Sequence, residues 1–562
     1  MKSYRERDIY FLAALGLLVI HLGIYAIVDP FLGPSHGDFL YLRIADRIAG
    51  ENNWFMELAN RQFDSYTLAF ARILFPGRFQ GMFYLHMLTL YFISLGLFHI
   101  LRRLMPGYAW FAFLVSAVAI VYVPEDAQHI TYWLAPYSWV LFLYVVAVIL
   151  LIEFALQQTK KSWFLLLIAP VLAYVVTRGY ESFVPLLICT PGILFYLSYR
   201  SRHRISRREI IATGIWFIPV IIGALQFAIP YARGDEKAWY QSTKNAPHFS
   251  IPDLINNTVE HQVLGFPYWH LVDRVSFDYV LPGLMLAGSV LLTTWLFKRR
   301  FPTECKFPSG RALMVMAVIG AAFVSIAGAG YIYADLLDNQ RNQFFSFPGH
   351  ALMVVSLMML VAIFIQHQLH LPRMRVFAGL LTFLFVLSSQ WIFHHNQSWY
   401  GESAANGENY PFYEMTDFHS RVRTVLPVVK DDSVILLHEC SGDELSPADF
   451  FSASDVYSSR YLFEWSEGKG VLSGLMSSQI YAVQGVSSSG LDTLSASDPL
   501  PPEFHYGYNQ VIVLTCDGQD IVVVDTFPEG FAPEGADIDA YNPYLRIENT
   551  FIPAKTERIL AQ

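Results

Sequence analysis

Eleven apolar runs, most of them close to twenty residues long, fill the first 395 positions of this chain, with short charged knots between them. A helix needs roughly 20 apolar residues to cross the hydrocarbon core of a bilayer. Inside that core every backbone N–H and C=O must be satisfied internally, which leaves helices or closed barrels. The runs lie near 9–29, 82–101, 108–124, 134–155, 162–178, 182–199, 210–231, 278–297, 312–333, 345–365 and 375–394. They predict an all-α polytopic membrane domain over 1–395 with about eleven transmembrane helices. The first run is too long for a secretory signal and lacks a small-residue cleavage site, so it reads as an anchor.

The charged knots give the orientation. Lys2, Arg5 and Arg7 precede the first run, Arg102 and Arg103 follow the second, and Lys160 and Lys161 follow the fourth. Arg200, Arg202, Arg204, Arg207 and Arg208 follow the sixth, Lys298, Arg299 and Arg300 the eighth, and Arg373 and Arg375 the tenth. Every one of these loops falls on the same side, and Lys and Arg in short loops mark the cytoplasmic face. The N-terminus is therefore expected in the cytoplasm and the tail outside, as for a protein of a bacterial inner (plasma) membrane. Only 15% of the residues are charged, against roughly a quarter in soluble proteins, so much of the surface is meant for membrane lipids. The formal net charge of −9 identifies no partner, because the basic clusters serve topology. There is no nucleic-acid signature.

Residues 396–562 change character and read as ordinary globular sequence, predicting a small extracytoplasmic soluble α/β domain. Strand-like runs occur at Ser433–His438, Ile480–Val486, Gln510–Thr515 and Ile521–Asp525, separated by turn-rich stretches and by Pro501–Pro502. The four cysteines are too few for a disulfide scaffold. Cys440 and Cys516 each end a tail strand, and on an oxidising face of the membrane they can pair; two unrelated thiols is the equal alternative. No internal repeat or low-complexity segment stands out.

The loops opposite the basic ones are longer and carry the acids. Residues 30–81 are rich in Asp, Glu, Arg and aromatics, and residues 232–277 in Trp, Tyr, His and Asn; 124–133 and 334–344 are short and polar. Asp38 opens an interfacial amphipathic stretch (Phe39, Leu42, Ile44, Ala45, Ile48), where it can serve as an N-cap or as a catalytic carboxylate at the membrane edge. His36 and Asp46 are weaker candidates nearby. Glu125 and Asp126 follow the third run: a solvated turn, or a pair that orients an acceptor or holds a divalent cation. Arg178 and Glu181 interrupt an otherwise apolar stretch, and ionisable residues at membrane depth are costly enough to suggest function. A structural pair at i, i+3 is the competing reading. Arg341 stands just before the tenth run, where a guanidinium can grip a phosphate through two hydrogen bonds or snorkel to the interface. His394 and His395 are adjacent, cannot chelate from one helix face, and mark the membrane exit. No zinc motif, phosphate-binding loop, nucleophile elbow or dinucleotide fingerprint is present, so no cofactor and no metal is assigned beyond that cation.

Three of these stretches together resemble the GT-C superfamily of membrane glycosyltransferases, most of all its protein O-mannosyltransferase and lipid A aminoarabinose transferase branch. They are GDFLYLRIADRIAG after the first run, VVTRGYESFVPLL around Arg178 (where the family often has Lys), and NQRNQFFSFPGHA around Arg341. The resemblance covers residues 5–395. It implies a GT-C-like fold and a sugar donor carried on a polyprenyl phosphate. It also implies transfer on the outer face to a glycan, lipid or protein acceptor, with Asp38 catalytic and Arg178 and Arg341 on the donor phosphate. Two features depart from the family pattern. Asp38 is followed by Phe39 where the family has Asp-Glu, and the region ITYWLAPYSWVLF at the fourth run has no acid, with only Glu125 and Asp126 nearby; Glu181 joins these two as a possible acceptor or metal residue.

Other functions fit a polytopic chain. An O-antigen ligase or polymerase would keep its key Arg and His in a late outer loop, and 232–277 holds His248, His261 and His270. A transporter or flippase of lipid-linked glycans would use internal repeats and discontinuous helices. A non-catalytic scaffold would only display the tail domain.

Overall fold

The computed structural model describes residues 2–27, 80–121, 135–157, 159–179, 183–233, 280–332 and 345–397, and in the tail 424–426, 434–438, 479–482, 509, 511–517, 520–527 and 538–547. The chain divides into two compact units, one containing the helices and the other the tail sheet.

Each apolar run is helical. The helices are α1 (Lys2–Ile27), α2 (Gln80–Leu104), α3 (Ala109–Val121), α4 (Ala135–Leu156), α5 (Trp163–Gly179), α6 (Val184–Cys189), α7 (Gly192–Arg202), α8 (Arg207–Arg233), α9 (Val280–Arg300), α10 (Gly310–Ile332), α11 (Phe347–Leu369) and α12 (Arg373–Gln397). Seven of them are long and apolar enough to cross a membrane; α3 and α5 are apolar but shorter. The sixth run is the exception to one helix per run. It breaks at Thr190–Pro191 into α6 and α7, because Pro191 lacks the N–H that would continue the ladder. Large apolar side chains stay exposed around the outside, among them Phe11, Leu22, Phe164, Leu167, Leu281, Val318 and Phe364. A soluble monomer rarely exposes so much apolar surface, and in a bilayer that surface is the lipid-facing belt. The chain is an integral membrane protein.

Lipid tails are as apolar as leucine, so helices in a bilayer associate through close packing and buried hydrogen bonds, with small residues at the seams. One close seam joins α10 to α11 through Gly320 and Gly349. A Cβ on Gly320 would stand 2.7 Å from the Gly349 carbonyl oxygen, and one on Gly349 would stand 2.8 Å from that of Gly320. Backbone is touching backbone there, and no side chain can yield. Gly16 and Gly23 of α1 similarly admit Thr293 and Leu286 of α9, Gly96 admits Val145 of α4, and Gly283 lies against Val386 of α12.

One end of the helical unit is charged and tightly cross-linked. Glu6 of α1 faces Arg102 at 3.7 Å and Arg103 at 3.4 Å, and Arg300 of α9 reaches Asp8 at 3.2 Å. Arg208 of α8 donates to the carbonyls of Phe154 (2.7 Å) and Gln157 (3.0 Å) and to Ser162 Oγ (2.7 Å). Arg200 donates to the Leu104 carbonyl. Lys298 lies 5.2 Å from the Trp110 ring and Arg373 4.3 Å from the Phe307 ring. These contacts gather the start of α1, the ends of α2 and α4, the end of α7, the start of α8, the end of α9 and the start of α12 at one face. The basic clusters that alternate along the sequence are neighbours in space. Two helices end at this face with a histidine in the left-handed region, His203 (φ 53°) and His370 (φ 56°). Their N–H groups close the last turn on Tyr199 and Gln366.

The tail unit holds a four-stranded sheet in the order β2–β1–β3–β4, from β1 (Val434–His438), β2 (Gln479–Ala482), β3 (Val511–Asp517) and β4 (Asp520–Val523). β1 runs parallel to both β2 and β3, and β4 turns back antiparallel on β3. The near-continuous apolar runs VILLH and VIVLT are the pattern of strands covered on both faces. Tyr541 pins the sheet: its hydroxyl accepts the Val513 N–H (3.0 Å) and donates to the Val524 carbonyl (2.8 Å). Burial raises its pKa above the usual tyrosine value, keeping the hydroxyl proton in place for that bond.

Candidate functional site at the end opposite the basic loops

Because α5 starts at the basic face, beside the Ser162–Arg208 contact, its last turn lies at the other end. Arg178 is in that turn and is buried, 8% exposed. The turn is held on two sides. A Cβ on Gly179 would meet Val140 of α4 at 2.6 Å, and Gly223 of α8 leaves room for Thr177, whose hydroxyl donates back to the Ala173 carbonyl at 2.8 Å. A basic residue in the last turn of a helix is favoured by the macrodipole. Arg178 is a fixed positive charge near one end of an apolar bundle.

Other buried polar groups share this end. His86, near the start of α2, has Nδ1 2.9 Å from Ser138 Oγ in the first turn of α4. His21 of α1 is buried beside the Tyr91 ring, centroids 6.0 Å apart. His350, in the first turn of α11, has Nδ1 3.3 Å from Ser346 Oγ. Ser388, Ser389 and Gln390 of α12 are buried. Next to Arg178 in sequence, Phe183 starts the sixth run, and its ring stacks edge-on against Phe345, centroids 4.3 Å apart. Phe345 precedes α11. Two of the three motif stretches thus meet: VVTRGYESFVPLL and NQRNQFFSFPGHA are joined through Phe183 and Phe345. Tyr144 of α4 packs against Phe183 as well (5.4 Å), and its hydroxyl lies 3.1 Å from Thr190 Oγ1.

Of the residues singled out in the sequence, Arg178 is placed by the structure. Asp38, Glu125, Asp126, Glu181 and Arg341 lie outside the described residues, as do His36, Asp46, Cys440 and the histidines of 232–277. Among the described residues no group of three His, Cys, Asp or Glu is arranged to hold a metal. Cys516 lies in β3, in register with Ile521.

Sequence reasoning passed over one ionisable cluster. Glu153, inside the fourth run, forms an ion pair with Arg103 Nε (2.7 Å) and accepts from His99 Nε2 (3.1 Å) and Gln157 Nε2 (2.9 Å). Tyr10 bonds His99 Nδ1 at 2.8 Å. In the neutral ring the carboxylate fixes the tautomer, so Nδ1 accepts the tyrosine proton. The signal was available, since an acid inside an apolar run is expensive unless paired. The cluster belongs to the charged face and joins α1, α2 and α4.

No protein-family model and no curated protein matches this chain. Among the solved structures similar to it are two of one protein. The crystal structure of ArnT from Cupriavidus metallidurans bound to undecaprenyl phosphate shares 13% identity, covering 92% of this chain and 99% of its own, with a TM-score of 0.36. The crystal structure of the same protein in the apo state shares 11% identity, covering 89% and 92%, also with a TM-score of 0.36. At that identity and TM-score the likeness assigns no function.

Proposed function

We propose that this chain is an integral membrane glycosyltransferase that moves a sugar from a polyprenyl-phosphate donor to a glycan, lipid or protein hydroxyl at the face opposite the basic loops. The observation that carries this reading is the buried Arg178 at that end of the bundle, beside the Phe183–Phe345 contact that joins two of the three motif stretches. A guanidinium fixed at membrane depth suits a phosphate delivered by a lipid. The basic loops at the other end put that face on the cytoplasm and this one outside.

In this reading Arg178, with Arg341, holds the donor phosphate, and Asp38 accepts the proton of the attacking hydroxyl. The acceptor oxygen bonds the anomeric carbon as the bond from that carbon to the phosphate oxygen breaks. Polyprenyl phosphate departs with the electron pair, already stable as an anion, so one carboxylate suffices. The break at Thr190–Pro191 is the feature that most suggests a transporter, which would use unwound helices. Here the break is bridged, with the Thr190 N–H on the Leu186 carbonyl (3.0 Å) and the Leu194 N–H on that of Pro191 (2.9 Å).

Incubating the purified chain with a panel of polyprenyl-phosphate sugars and candidate acceptors tests the proposal. Sugar transfer with release of polyprenyl phosphate is expected; donor binding without release overturns it.

A further inference from the structure

The charged face contains a cavity that the transferase reading does not use. Among the described residues a cavity of ≈ 490 Å³ opens between the helix ends, lined by Arg102, Arg103 and Arg200, the carboxylates Glu6 and Glu304, and Ser201, with Pro106, Leu156 and Leu197 as apolar wall. Its volume falls in the range of small-molecule sites, roughly 300–1,000 Å³. Three guanidiniums line it with two carboxylates, and Arg103 is held by Glu153 at 2.7 Å, which leaves Arg102 and Arg200 as the lining's donors. The Arg102 side chain is only 12% exposed, and its contact with Glu6 at 3.7 Å is too long for a hydrogen bond. Its buried Nη1 makes no hydrogen bond among the described residues. Arg200 uses Nη1 on the Leu104 carbonyl and keeps its other donors.

The surroundings indicate which anion fits. Leu156, on the cavity wall, is 42% exposed, and Tyr196 and Tyr199, on the same helix as Arg200, are 49% and 62% exposed. Exposed tyrosines at the ends of apolar helices sit at headgroup level in a membrane. The cavity therefore joins donors for a phosphate to an apolar wall, on a helix whose exposed tyrosines mark the bilayer boundary, and basic pockets of this kind between transmembrane helices take anionic lipid headgroups.

We propose that this cavity binds the phosphate of an anionic phospholipid, with Arg102 and Arg200 as its donors and an acyl chain leaving past Leu156. The site is independent of the donor site around Arg178. The shared chemistry, a phosphate diester or monoester, also admits free phosphate, so the test separates the two. The delipidated full chain in neutral detergent is titrated with phosphatidylglycerol, with phosphatidylcholine of the same acyl chains, and with inorganic phosphate, followed by native mass spectrometry and thermal unfolding. One phosphatidylglycerol per chain, held at least about tenfold more tightly than phosphatidylcholine, is expected. Arg200→Gln should weaken phosphatidylglycerol about tenfold, the loss of one charge-assisted hydrogen bond, and Arg200→Lys should recover part of it. Equal binding of the two lipids in the unaltered protein overturns the proposal whatever the variants do. Stabilisation by inorganic phosphate that matches phosphatidylglycerol assigns a soluble anion and overturns the lipid assignment. Undiminished binding by a folded Arg200→Gln protein overturns the role of Arg200.

Discussion

Phe183 and Phe345 meet edge to face with their centroids 4.3 Å apart, tying the start of the sixth apolar run to the start of the tenth. They are 162 positions apart in the numbering, and each lies in a stretch that carries an arginine, Arg178 in one and Arg341 in the other. An aromatic pair of this geometry is worth about 0.5–1.5 kcal/mol beyond its buried area. Phe183→Leu should keep the helices and lower thermal stability by about that amount. In the transferase reading it should also weaken donor binding. Unchanged donor affinity with a lowered Tm would make the contact structural only.

Arg178 is the residue on which the donor reading is most exposed. Arg178→Ala should weaken polyprenyl-phosphate binding by about 2 kcal/mol, the scale of a charged hydrogen bond, and Arg178→Lys should restore part of it. Normal donor binding by an Arg178→Ala protein that melts earlier would assign the guanidinium to local packing.

For Asp38 the base and cap readings separate in one variant. Asn caps a helix as well as Asp does, but it cannot take a proton. Loss of a general base costs about 10²–10⁴ in rate. Asp38→Asn should give a folded, donor-binding protein that is inactive by that factor, measured as sugar transferred. Near-normal transfer would leave Asp38 as a cap.

The α10–α11 seam gives a prediction independent of function. Gly320→Ala places a Cβ 2.7 Å from the Gly349 carbonyl oxygen and from the Met353 amide nitrogen, backbone atoms that cannot swing aside, and overpacking of this kind costs about 1–3 kcal/mol. Gly288→Ala, within α9 and with nothing inside 4 Å, should be neutral or stabilising by up to ~1 kcal/mol. Thermal unfolding of the two variants in the same detergent checks the contrast; equal midpoints would contradict the close approach.

Burial pushes the Cys305 thiol up to about 11. The folded state then holds a proton that the unfolded chain releases at lower pH, so the contribution is full below the unfolded value and is lost as pH rises toward 11. The thiolate is the reactive form. Alkylation of Cys305 should therefore stay slow through pH 9 and accelerate above pH 10. Rapid labelling at pH 8 would contradict a buried, neutral thiol.

Much of the helical architecture was legible because the bilayer allows few solutions. Apolar length predicted the helices, and alternating Lys and Arg predicted which ends share a face, as Arg103–Glu6, Arg300–Asp8 and Arg200–Leu104 demonstrate. The break at Pro191 was written in the sequence but outweighed by the apolar run around it. The Gly320–Gly349 seam was not legible, because a glycine announces a close approach without naming its partner. Glu153 and His99 were hidden for a related reason: pairing across helices depends on rotation about each helix axis, which hydropathy does not encode. In the tail, the apolar strand runs predicted the strands, whereas the order β2–β1–β3–β4 comes from crossovers that leave no periodic signature. Of the candidate site, the sequence located Arg178 as an ionisable interruption, and the meeting of its motif with that of Arg341 emerged only in three dimensions.

The lattice of contacts at the charged face has a consequence for biosynthesis. Helix α1 is made first, yet Gly16 and Gly23 close on Thr293 and Leu286 of α9, and Asp8 is answered by Arg300, 292 positions later. At roughly 5–20 residues per second of synthesis, the first helix waits on the order of 15–60 s for the partner that fills its seam. Its small-residue groove stands open to lipid or to other helices throughout. A nascent chain halted before residue 280 should accordingly hold α1 in a state that crosslinks to neighbouring membrane proteins, and release it once α9 has entered the bilayer.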